Sequence, residues 1–196
     1  MKLFYTKRSP YARKVRVIAL EKNIPLELIE EDLTKKSKQL IDANPLGKIP
    51  ALVLDNGKIL CDSPVICEYL DSMKDKPLFI SKTGEERFNV LTFAAIADGL
   101  MDVTVALYME KVRHPQDYNQ LFVKNQEDTI RQTLKSLEER VAEFKDLNLA
   151  TVAAASAIGY MNFRLPHLCP SAQYPKLTKW FEEFSKRPSM AATLPG

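Results

Sequence analysis

The period of the apolar positions changes about a third of the way along the chain. Up to residue 74 they fall in short segments of differing type. Leu3-Phe4-Tyr5 predicts a strand, and Tyr11, Val15, Ile18 and Ala19 then recur at i, i+4, i+7 and i+8, one face of a helix reaching about Asn23. Leu26 to Ile29 predicts a second strand, and Lys36 to Asp42 a short helix. Ala51 to Leu54 and Lys58 to Cys61 flank Asp55-Asn56-Gly57, a strong hairpin signal. Ile66, Tyr69, Leu70 and Met73 mark one face of a further helix. The predicted order is β-α-β-α-β-β-α, with the last strand pair antiparallel.

Lys74 to Gly84 carries Lys, Asp, Pro, Ser and Gly and reads as a linker. Strand signals disappear beyond it. Helical spacing predicts elements over Glu85 to Arg113, Gln116 to Lys145, Asn148 to Arg164 and Tyr174 to Lys186. The third is apolar nearly all round, which marks it as the buried centre of an all-helical half. Two domains are expected, residues 1–76 and 85–196.

Composition narrows the functional classes. Of 196 residues 45% are apolar and 27% charged, as in an ordinary soluble globular protein. The net charge of +3 is too mild for a dedicated nucleic-acid binder. Charges close the first apolar stretch at Lys7-Arg8, which excludes a signal peptide, and Leu147 to Phe163 carries too many polar groups for a membrane span. The three cysteines (Cys61, Cys67 and Cys169) show no CxxC, and His114 and His167 stand alone. Free thiols in a reducing compartment, a cytoplasmic location and no metal site are therefore expected.

If the hairpin adds beside the first strand, three loops meet at one edge of the sheet. They are the end of strand one (Thr6 to Ser9), the start of strand three (Ile49-Pro50) and the end of strand four (Asp62-Ser63). Ser9-Pro10 and Ser63-Pro64 each read as an N-cap followed by proline at the first helical position, so two positive helix ends should open onto this edge. Lys7, Arg8, Arg13, Lys14 and Arg16 cluster around the first. Asp62 is a carboxylate suited to an ammonium group. These features point to a zwitterionic, net-anionic ligand with an amino-acid head.

Ser9-Pro10-Tyr11-Ala12-Arg13-Lys14-Val15, Asn44-Pro45-Leu46-Gly47-Lys48-Ile49-Pro50 and Asp62-Ser63-Pro64-Val65-Ile66 resemble the glutathione transferase superfamily, and the similarity runs through the whole chain. The segments Ala97-Asp98-Gly99 and Asn148 to Thr151 are similar to those of small bacterial members. The resemblance implies a thioredoxin-like α/β N-terminal domain, an all-α C-terminal domain, a homodimer and glutathione as co-substrate. It implies that Pro50 is a cis-proline and that Ile49 holds the cysteinyl backbone of glutathione. Asp62 and Ser63 would hold the γ-glutamyl head, Lys36 the glycyl carboxylate, and Ser9 would donate to the sulfur, with Tyr5 the second candidate for that role. The fourth family motif normally has an acid where this chain has Thr151, a weaker closure of the helix cap.

The run Ser9-Pro10-Tyr11-Ala12 has no sulfur where thiol-reductase relatives carry cysteine, which turns the expectation toward attack of a glutathione thiolate on a small electrophile. Tyr11, Met101, Tyr108 and Tyr160 are the candidate walls of the electrophile pocket between the halves. Two rival readings remain: a non-catalytic binding or regulatory protein of this fold, and a glutathione-dependent thiol reductase using Cys61 or Cys67. Both cysteines read as structural.

Overall fold

The computed structural model describes residues 1–169 and 171–196. Its first half contains β1 (Lys2–Tyr5), α1 (Pro10–Glu21), β2 (Glu27–Glu30), α2 (Lys38–Ala43), β3 (Ala51–Val53), β4 (Ile59–Leu60) and α3 (Ser63–Ser72), in the predicted order. The sheet order is β2-β1-β3-β4. β1 and β2 are parallel, while β3 is antiparallel to both β1 and β4. β4 therefore runs with β1, as the hairpin placement requires. Leu3, Val15, Ile18, Leu52, Ile66 and Leu70 are fully buried where α1 and α3 cover the sheet.

The second half is helical: α4 (Glu85–Arg113), α5 (Gln120–Arg140), α6 (Leu149–Arg164), α7 (Pro175–Ser185) and α8 (Pro188–Ala191). α4 is long and apolar enough to cross a membrane by length and composition. Here it packs against α5 and α6. α5 starts at Gln120 rather than Gln116, because Asn119 caps it by accepting from the Phe122 N–H. The Asn119 N–H is itself held by Glu110, so residues 115–118 turn instead of continuing a helix. α8 was not foreseen; four residues are too few for a periodicity signal. All of Leu149 to Met161 in α6 is buried, as expected of the central helix. Its first turn forms a complete capping box, with Asn148 and Thr151 each accepting from the other's backbone N–H at 3.0 Å. Threonine thus closes the box that the sequence left weaker.

Buried polar contacts join the halves. Lys14 of α1 has a fully buried side chain and reaches both carboxylate oxygens of Asp98 in α4, at 2.6 and 2.7 Å. Arg13 donates to the Met190 carbonyl and the Thr193 hydroxyl, and Glu21 accepts from Arg187 and Ser189. Lys22, also fully buried, pairs with Asp71 at 2.9 Å and donates to the Asp71 and Lys74 carbonyls. Asp71 in turn accepts from the Phe79 and Ile80 N–H groups. The linker is therefore tied down along its length.

Candidate active site

Strand register brings the three loops together. The β1–β3 ladder pairs Phe4 with Ala51, and the β3–β4 ladder pairs Leu52 with Leu60. Carried on in register, Pro50 stands abreast of Tyr5 on one side and of Asp62 on the other. Ser9 follows within one turn, its N–H bonded to the Thr6 carbonyl.

Ser9 caps α1, its hydroxyl accepting from the Ala12 N–H at 3.2 Å. It is partly exposed. Among the described residues the oxygen has one acceptor bond, and its O–H is oriented by none. Tyr5 differs: it is 7% exposed, and the Arg16 guanidinium lies 4.9 Å from its ring centroid. It is a core residue, which favours Ser9 for contact with a ligand.

The peptide bond between Ile49 and Pro50 is cis, as the motif implied. The preceding loop is braced by Asn44, whose amide donates to the Lys48 carbonyl and accepts from the Leu46 N–H. Gly47 takes φ +58°, and a Cβ there would come within 3.0 Å of the Lys36 Cδ and Nζ. Lys36 therefore lies against this loop, two residues from Ile49. Glu31 fixes the segment carrying it by accepting from both the N–H and the hydroxyl of Ser37.

At the third loop the cap differs from expectation. Asp62, not Ser63, is the N-cap of α3, its carboxylate accepting from the Ser63 N–H. Ser63 is the first helical residue and is buried, with Pro64 next. The pairing continues to Leu60, so the chain turns one residue earlier than the Ser-Pro syntax predicts. Asp62 remains exposed beside Pro50.

The expected basic cluster is also different. Arg13 and Lys14 are buried and engaged with the helical half. Arg16 stacks on Tyr5 and donates to the Ala192 carbonyl. Burial and the neighbouring Arg16 push the Arg13 guanidinium down to about 10. Lys7 and Arg8 are the exposed members. The hydrogen-bond partners of the other three lie over 80 residues away in sequence, beyond the reach of local pattern.

Of the four electrophile-pocket candidates, the structure brings three into one neighbourhood. The Tyr11 hydroxyl donates to Asp102 at 2.5 Å. Burial and this carboxylate raise its pKa, so it stays protonated. The Arg164 guanidinium lies 6.0 Å from the Tyr160 ring centroid and 4.3 Å from that of Tyr108, and Tyr160 is within electrostatic reach of Tyr11. Burial raises its pKa, and Arg164 opposes the rise. The Tyr108 hydroxyl accepts from Arg164 at 3.0 Å. Met101 is fully buried in the core and offers no surface. Helical rotation turns it inward while Asp98 and Asp102 face α1. These carboxylates and Arg164 were overlooked as site residues. Two acids at i, i+4 in the apolar middle of this helix are a legible signal.

The cysteines divide. Cys67 is fully buried and its thiol is pushed up to about 12 by desolvation; burial likewise takes Cys169 to about 11. Cys61 is exposed, contrary to a structural reading, because β4 stops at Leu60 and leaves it outside the sheet. Among the described residues no group of metal-ligating side chains forms.

The site thus joins a serine at a helix N-terminus, a cis-proline loop and an acidic cap, on a four-stranded sheet backed by a helical domain. This is the arrangement of glutathione-binding proteins, and the comparisons agree. Residues 3–77 match the glutathione S-transferase N-terminal domain and residues 96–188 the C-terminal domain. The chain belongs to the glutathione S-transferase family. It is 34% identical to the uncharacterized GST-like protein YibF of Escherichia coli, over 100% of this chain and 98% of that one. It superposes on a glutathione transferase family member from Pseudomonas fluorescens with bound glutathione (TM-score 0.93, 40% identity, covering 100% and 98% of the two chains). The same description applies to a structure with bound S-(propanoic acid)-glutathione (TM-score 0.91, 40% identity, both chains fully covered).

Proposed function

We propose that the protein is a glutathione transferase that activates the thiol of glutathione through Ser9. The observation that carries this reading is the partly exposed Ser9 hydroxyl at the N-terminus of α1, beside the cis-proline loop. The Ile49 backbone pairs with the cysteinyl unit, Asp62 and Ser63 take the γ-glutamyl head, and Lys36 faces the glycyl carboxylate. Relatives crystallised with glutathione and with its propanoic acid conjugate support the same ligand here.

The energetics are sufficient. A free thiol has a pKa of about 8.5, so lowering it by two units requires about 2.7 kcal/mol in favour of the anion. One hydrogen bond to a charged group supplies about 1.5–3 kcal/mol, and a helix N-terminus about 0.3–1 kcal/mol. Ser9 and the end of α1 together reach that sum without metal or general base. The thiolate then forms a bond to the electrophilic carbon, and the thiol proton goes to solvent. That carbon releases a leaving group with the bonding electron pair or, at an activated double bond, gives up its π pair to the neighbouring atom. A homodimer in the cytoplasm remains the expected setting.

The test is conjugation to a panel of electrophiles, with the bound thiol titrated by its ultraviolet absorbance. Ser9→Ala should raise the bound thiol pKa by about 1–2 units and lower kcat/KM about 10–100-fold. Unchanged values in Ser9→Ala, with both lost in Tyr5→Phe, would move the role to Tyr5.

A further inference from the structure

Arg164, the last residue of α6, is a cation short of an acceptor. Its Nη1 donates to the Tyr108 hydroxyl. The guanidinium carbon lies 4.3 Å from the ring centroids of both Tyr108 and Phe163, and 6.0 Å from that of Tyr160. Its Nε is buried and has no hydrogen-bond partner. Among the described residues no carboxylate pairs with it, whereas Arg87, Arg131, Arg140 and Arg187 each hold one. A planar fork held against aromatic faces with donors to spare is suited to a planar anion.

Its position relative to Ser9 gives the feature a use. Tyr160 lies one helical turn before Arg164, on the same face of α6. It is within electrostatic reach of Tyr11, which follows Ser9 by two residues and is tied to α4 through Asp102. Arg164 therefore sits beyond a wall of tyrosines as seen from the thiol. The acids nearer Ser9 are already engaged: Asp98 by Lys14 and Asp102 by the Tyr11 hydroxyl. Asp102 and Tyr108 are six residues apart, about 9 Å along α4, so these acids stand well back from Arg164.

We infer that Arg164 binds a carboxylate of the second substrate, so that the electrophile is an acid whose carboxylate is remote from its reacting carbon. This assignment rests on the transferase reading above. The tyrosine rings pack against the body of the substrate, and the guanidinium fixes its far end. A hydrogen-bonded charge pair of this kind is worth about tenfold or more in affinity.

The decisive measurement is calorimetric and needs no turnover. S-(4-carboxybenzyl)glutathione and S-benzylglutathione present the same ring with and without the acid. Wild-type protein should bind the carboxybenzyl conjugate about tenfold more tightly, and Arg164→Gln should abolish that preference, with Arg164→Lys restoring part of it. A wild-type protein without the preference, or a preference surviving in Arg164→Gln, overturns the assignment. A merely structural Arg164 would lower the melting temperature and weaken both conjugates alike, which also overturns it. If neither conjugate nor glutathione binds, the glutathione site itself is wrong and this assignment falls with it. Binding with the preference but no conjugation of any electrophile overturns the transferase reading, and with it the second-substrate role, and leaves Arg164 as a carboxylate site for a bound glutathione conjugate. In turnover, 4-chloro-3-nitrobenzoate and its amide are the matched pair. The thiolate sulfur bonds to the ring carbon, and chloride leaves with the electron pair of the broken C–Cl bond. The kcat/KM ratio of acid to amide, each divided by its uncatalysed rate, should fall about tenfold in Arg164→Gln.

Discussion

Ser9 performs two tasks with one oxygen. As an acceptor it caps α1 through the Ala12 N–H, which leaves its proton free to donate outward. Ser9→Ala should therefore cost stability as well as activity, about 1 kcal/mol from the lost cap. A denaturant melt beside the thiol titration separates the two effects. Ser9→Asn should retain the cap and much of the stability while failing to place a donor at the sulfur. Gly159 is the second residue whose identity is dictated locally. A Cβ there would lie 2.4 Å from the Arg13 Nη1. Arg13 cannot move freely, since it holds the Met190 carbonyl and the Thr193 hydroxyl. Gly159→Ala should destabilise by about 1–3 kcal/mol, and the same change in an Arg13→Gln background should cost clearly less. Additive losses in the double-mutant cycle would refute the link.

At the scale of elements, tight turns and helix ends decide what faces the ligand. The loop before Ile49 depends on Gly47 at positive φ and on the two bonds of Asn44. The acidic cap of α3 depends on β4 stopping at Leu60. Docking of α8 depends on charge. Arg187 and, less strongly, Ser189 hold the Glu21 carboxyl below its ordinary value of 4.5. A depressed acid stabilises the fold above its unfolded pKa, and that contribution is lost as pH falls through the depressed value. Amide protection factors over residues 188–193, taken relative to the intrinsic rate at each pH, should thus be high at neutral pH and fall below about pH 4.5. Glu21→Gln should show lower protection at neutral pH and a flatter dependence of protection on acid.

Across the whole molecule, the two halves are joined by buried charges as well as by apolar packing. Lys14 with Asp98 and Glu21 with Arg187 do so directly, and Lys22 ties the first half to the linker, because Asp71 binds both the ammonium and two linker N–H groups. Lys22→Met would strand a buried carboxylate and should cost about 3–5 kcal/mol in thermal or chemical unfolding. Lys22→Met with Asp71→Asn should recover part of that loss. Burial raises the Asp98 pKa even though Lys14 opposes the rise, so this bridge stabilises less than its short distances imply. Its value is in placement: it sets α4 against α1, which brings Asp102 to Tyr11.

Local pattern determined much of this. Period-two and period-3.6 spacing placed the strands and helices, the Asp-Asn-Gly turn fixed the hairpin, and the order of elements already implied that Ser9, Ile49-Pro50 and Asp62-Ser63 share an edge. Those features are encoded within a few residues of where they act. Tertiary structure alone decided that Arg13 and Lys14 face the helical half rather than a ligand, that Met101 is core, and that Arg164 stands among the tyrosines with no carboxylate partner among the described residues. Each outcome depends on a partner that packing supplies from far along the chain, where the spacing of neighbouring residues carries no information.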